Sequence, residues 1–117
     1  MRRASARKAA PAARLGEHVP LTPGNVAVAP ALPGVYLLYR GHRLIYIGVA
    51  PRGATIRARL REHMLGGGAP GTGAATEFDY EVSGEPFALY AHYLAVYIDT
   101  TGGLLPDCNE LDESRNG

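Results

Sequence analysis

Apolar and polar positions along the chain fall into blocks whose spacing changes from block to block. Residues 34–39 form a short run rich in β-formers, residues 40–42 (Arg-Gly-His) carry a turn signal, and residues 43–48 form a second such run. Two apolar runs around a glycine-containing turn predict a β-hairpin. Both faces of each run are apolar, so the sheet is expected to be covered on both sides. From Ala54 to Leu65 the period becomes helical. Ile56, Leu60 and Met64 make an apolar stripe, while Arg57, Arg59, Arg61 and His63 take the other faces. The glycine-rich stretch 66–73 ends that helix as a flexible loop. Residues 77–82 alternate strictly and predict a half-exposed strand. Phe78, Tyr80 and Val82 share its inner face, and Glu77, Asp79 and Glu81 form a solvated outer face. Pro86 opens a last helix that runs to Ile98. Gly102 and Gly103 break it, and residues 104–109 follow as extended chain. The predicted order is β-β-α-β-α, an α/β chain of the α+β kind. One domain spans residues 26–112, with a basic tail at 1–25 and a short tail at 113–117.

Composition supports this picture and removes several classes. The 117 residues suffice for one domain, and 46% hydrophobic against 20% charged residues suits a packed core. The single cysteine, Cys108, excludes an internal disulfide framework and a cysteine-rich zinc module, and reads as a small packing residue. No run of about 18 apolar residues exists, so no membrane span is expected. Without a secretory signal in the tail, the expected location is cytoplasmic; an acid-poor, arginine-rich tail also fits an organelle-targeting segment.

Charge is unevenly spread. Residues 1–63 hold eleven of the twelve basic side chains and only two acids, Glu17 and Glu62; residues 64–117 hold nine acids and one base, Arg115. All the bases except Lys8 are arginine, which suits bidentate phosphate contacts. An Ala/Arg/Gly-rich coding bias produces the same composition. Arg57 and Arg61 fit either a phosphate track beside Arg59 or a plain solvated helix face.

A hairpin symmetric about Gly41 sets Tyr36 opposite Tyr46, with Cβ atoms ~5 Å apart on one face. Two phenols side by side are either an aromatic core pair or a polar catalytic pair. Arg59 and His63 stand one helical turn apart and point the same way. The motif Gly34-Val35-Tyr36, ten residues from Tyr36 to Tyr46, then Tyr46-Ile47-Gly48, resembles the GIY-YIG nuclease family. Arg59 and His63 on the following helix, and Pro106-Asp107-Cys108-Asn109 near the end, extend the resemblance over residues 32–109. It implies a three-stranded antiparallel sheet flanked by helices, and hydrolysis of DNA phosphodiesters with Mg²⁺ or Mn²⁺. It further implies that Tyr36 helps generate the attacking water and that Tyr46 supports that network and contacts phosphate. Arg59 would stabilise charge on the scissile phosphate, and His63 would assist proton transfer or hold a phosphate. Gly34, Gly48 and Asn109 would support the site. A phenol titrates near 10, so it needs nearby positive charge, from Arg59 and a metal, to act as a base near neutral pH.

The chain departs from the family at the metal. The register of the last helix puts Tyr90 where the family carries a metal-binding glutamate, and residues 86–98 contain no acid. Phenol is a poor ligand for Mg²⁺. Glu85, His92 and Glu110 are the substitutes the sequence offers. A domain that binds DNA or another nucleic acid without cutting it is the alternative reading, with Tyr90 stacking or hydrogen-bonding within the site. A fold used for protein–protein contact is a third.

Overall fold

A computed structural model of the chain describes residues 18–110. Most of the expected tail, 1–17, and all of the expected C-terminal tail, 113–117, lie outside the described residues. Four strands form one antiparallel sheet in the order β1-β4-β2-β3. The strands are β1 (Val19–Pro20), β2 (Gly34–Arg40), β3 (Arg43–Ala50) and β4 (Glu77–Val82). The helices are α1 (Pro23–Ala27), α2 (Ile56–Met64) and α3 (Pro86–Thr101). The expected three strands are therefore four. Residues 19–20, assigned to the tail by their prolines and basic neighbours, add an edge strand to β4. Pro23 then sits in the first turn of α1, where its missing N–H costs nothing, and Thr22 caps that helix by accepting from Asn25 N.

The β2–β3 hairpin turns on two residues, Gly41 and His42, with Arg40 paired to Arg43 and Gly41 at φ +63°. Past Tyr39↔Leu44 the register slips, so that Leu38 pairs with Tyr46 and Tyr36 with Gly48. Ile45 is the extra residue. The predicted pairing of Tyr36 with Tyr46 is corrected: a tighter turn plus a β-bulge replaces a symmetric hairpin.

The sheet separates two cores. On one side Tyr36, Leu38, Ile45 and Phe78 pack with Val26 of α1 and with Ile56 and Leu60 of α2. On the other, Val35, Leu37, Tyr39 and Ile47 pack with Tyr93 of α3. Coverage on both sides matches the apolar character of both hairpin faces. The acidic face of β4 departs from expectation, because it lies beneath α3. Asp79 is buried, Glu81 accepts a 2.6 Å hydrogen bond from the Tyr93 hydroxyl, and His18 pairs with Glu77. Asp79 Oδ1 accepts from Tyr80 N at 2.8 Å, the kind of partner a buried carboxylate needs.

Thr55 caps α2 by accepting from Ala58 N at 3.0 Å. Gly102, at φ +75°, ends α3 three residues later than the spacing suggested. Residues 107–110 are helical, not extended. No helix among the described residues is long and apolar enough to cross a membrane.

Candidate active site

The bulge decides where the two tyrosines of the hairpin point. A two-residue turn with no bulge would set Tyr36 and Tyr46 on opposite faces, because side chains alternate along each strand. Ile45 restores the parity, so both phenols face α2 with ring centroids 6.2 Å apart. Across from Tyr36 stands Gly48. A Cβ there would run into the Tyr36 ring, so the absent side chain is what lets the phenol lie across the sheet. Gly34 allows an equally close approach of the β4 backbone at Glu81. β3 is an edge strand, and its open side is closed by Asn109. The Asn109 carboxamide accepts from Ile47 N at 2.7 Å and donates to Ile47 O at 2.9 Å. It thus takes the place of a neighbouring strand between Tyr46 and Gly48.

α2 lies over this edge with Ile56 and Leu60 buried. That rotation leaves Arg59, Glu62 and His63 facing the two phenols. Tyr36, Tyr46, Arg59, Glu62 and His63 all line one cavity of about 460 Å³, and Tyr90 of α3 reaches its wall from the other side of the sheet. The His63 ring is 5.3 Å from that of Tyr36 and 5.4 Å from that of Tyr46. Its Nε2 lies 2.8 Å from the Tyr36 hydroxyl and its Nδ1 2.8 Å from Thr72 Oγ1. Arg59 bonds Glu62 at 3.2 Å, one turn along the helix.

The stretch 66–73, expected to be a flexible loop, folds back as part of the site. Gly67, Gly68 and Ala69 line the cavity, and a Cβ on Gly68 would collide with the His63 ring. Thr72 begins a short 3₁₀ turn and is 1% exposed. Thr72 and Glu62 are the site residues that the motif pattern missed. Glu62 is detectable, since it lies one turn from Arg59 and beside His63. Thr72 is not, since its place depends on how a glycine-rich loop closes.

Burial pushes the Tyr36 phenol well above its ordinary value of 10. The Tyr46 phenol adds to the rise, Arg59 opposes it, and Glu62 and Tyr90 add to it. Arg59 lowers this phenol, as expected of a nearby positive charge, but desolvation outweighs one partly exposed guanidinium acting alone.

Other expected residues stand elsewhere. Arg57 Nε donates to the Ala29 carbonyl at 2.8 Å and ties α2 to the segment that follows α1, and Arg61 is exposed; neither lines the cavity. Glu85 is exposed and paired with Arg52. His92 is exposed with its ring against Tyr93, and Glu110 is exposed beyond Asn109. None of these three faces the phenols. Among the described residues no three His, Cys, Asp or Glu side chains group as metal ligands. The carboxylate in the cavity wall, Glu62, is engaged by Arg59, and the α3 position is a phenol. This donor set does not fit a protein-held Mg²⁺ or Mn²⁺, which asks for carboxylate oxygens. What remains is a polar constellation with a guanidinium paired to Glu62, a buried phenol–imidazole pair and an open cavity beside them. No protein-family model, curated protein or solved structure matches the chain.

Proposed function

We propose that this domain hydrolyses phosphodiester bonds of DNA in the manner of a GIY-YIG endonuclease. The observation that carries the reading is the convergence of Tyr36, Tyr46, Arg59 and His63 on one cavity. Arg59 meets a phosphate and counters the negative charge that spreads over its oxygens as water attacks. Tyr36, hydrogen-bonded to His63, accepts the proton of that water. Tyr46 stands beside it to hold the phosphate or the water. Mg²⁺ or Mn²⁺ is the cofactor that the resemblance implies; no step here is assigned to it.

The test is nicking of supercoiled plasmid and of branched and single-stranded DNA, with Mg²⁺, with Mn²⁺ and with chelator. Tyr36→Phe is expected to lower the rate by about 10²–10⁴, the usual worth of a positioned acid–base group. Arg59→Ala is expected to lower it by about 10²–10³, the usual worth of a preorganised charge partner. Wild type as inert as both variants on every DNA and metal overturns the proposal.

A second reading, nucleic-acid binding without cleavage, is favoured by Tyr90 in the cavity wall where a carboxylate is expected. It calls for salt-sensitive DNA affinity with no product.

A further inference from the structure

We propose that Thr72 is a positioning residue for this site, holding His63 in the tautomer that lets its Nε2 take the proton of Tyr36. The inference rests on the hydrolytic reading above and deepens it. Tyr36, His63 and Thr72 form an unbroken line in the interior, with exposures of 3%, 4% and 1%. The Tyr36 hydroxyl lies 2.8 Å from His63 Nε2, and His63 Nδ1 lies 2.8 Å from Thr72 Oγ1. Thr72 Oγ1 donates to the Ala69 carbonyl oxygen at 2.7 Å.

A hydroxyl has one hydrogen. Thr72 gives its hydrogen to Ala69, whose carbonyl has none to return. Towards His63 it is therefore an acceptor, and Nδ1 carries the hydrogen. In the neutral imidazole Nε2 then presents its lone pair, and the Tyr36 hydroxyl donates into it. The hydrogens run in one direction, from Tyr36 to the Ala69 carbonyl.

Groups from several elements face His63. β2 and β3 present Tyr36 and Tyr46, the loop presents Gly68 and Thr72, and α3 presents Tyr90 on the far wall. Arg59 and Glu62 share its helix and its cavity, and they bond each other. Gly68 packs so closely on the ring that a side chain there would displace it.

The order has a chemical consequence. As water attacks phosphorus, the new P–O bond forms and the bond to the leaving oxygen breaks. The water's proton passes to the Tyr36 oxygen while the phenol's own proton passes to His63 Nε2. The imidazolium keeps its Nδ1–H on Thr72, solvent water protonates the leaving oxygen, and the hydroxide so formed takes the Nε2 proton back by way of the Tyr36 hydroxyl. Tyr36 acts as a relay and is never a free phenolate, a species that burial opposes.

The test is the tautomer of His63, read by ¹⁵N–¹H correlation NMR on histidine-labelled protein, with DNA nicking measured alongside. Wild type is expected to show Nδ1–H. Thr72→Val, which keeps shape and removes the acceptor, is expected to abolish that preference and slow nicking roughly tenfold or more, short of the ~10⁴ lost when a carboxylate orienter is exchanged. Thr72→Ser is expected to restore both. An Nε2–H tautomer in wild type, or one unchanged in Thr72→Val, overturns the proposal. Wild type with the Nδ1–H tautomer and Thr72→Ser behaving alike uphold the role of Thr72 even where the valine variant fails to fold. Should such a protein cut no nucleic acid, the hydrolytic reading fails while the positioning stands.

Discussion

Gly48 holds no chemistry, yet the Tyr36 ring lies where it does because nothing projects from Gly48. Gly48→Ala is expected to push the ring aside and break its hydrogen bond to His63. The overpacking should cost about 1–3 kcal/mol in urea unfolding, with nicking reduced towards the level of Tyr36→Phe. Unchanged stability and activity would show that the ring has slack. At this scale the sequence is most informative where contacts are local. Arg59 and His63 share a face because one helical turn separates them. Tyr36 and Tyr46 share one because the bulge at Ile45 restores their parity within a single hairpin. Thr72 lies nine residues beyond His63, across a glycine-rich loop whose path no periodicity encodes. Tyr90, which the register implied by the resemblance puts at the expected glutamate's position, does reach the cavity wall.

Among the elements, the bulge in β3 does the most to build the site. Removing Ile45 leaves a plain two-residue hairpin and rotates Tyr46 to the α3 side of the sheet. A chain lacking Ile45 is expected to keep its mixed helix-and-sheet circular dichroism while losing nicking and the close approach of Tyr46 to His63 in NMR. Retention of that approach would mean that the strand re-forms its irregularity elsewhere. Propensity hides the bulge, since Ile45 is as good a strand former as its neighbours. A symmetric hairpin about Gly41 places both phenols on the correct face through an incorrect register. β4 teaches a related lesson. Its alternation marks two faces but cannot say that the acidic one is roofed by α3, where Glu81 meets Tyr93. The edge strand β1 is hidden by its two-residue length and its proline, Pro20.

Across the whole molecule, tyrosines are used as buried polar beams. Burial raises the phenols of Tyr36 and Tyr93 well above 10 and pushes Tyr39 up to about 12. The folded chain holds these protons more tightly than the unfolded chain. Their contribution to stability is therefore complete below pH 10 and is lost as pH rises from 10 towards 12 and beyond. Melting temperature followed by circular dichroism is expected to stay level with respect to these groups up to about pH 9 and then fall. Tyr39→Phe should soften the fall; a curve that stays flat to pH 11 would contradict it. Fold class and sheet coverage are legible at this scale, because two apolar faces on a hairpin require two layers of cover. The depth of phenol burial is not, because it depends on how the layers meet. The edge of β3 carries one more consequence. Among the described residues, its outer ribbon is met by the carboxamide of Asn109 rather than by a fellow strand. Loss of that clasp would bare a sticky main-chain margin beside the cavity, open to zippering with other molecules. The same small lock thus braces the wall of the cavity and covers the margin of the sheet.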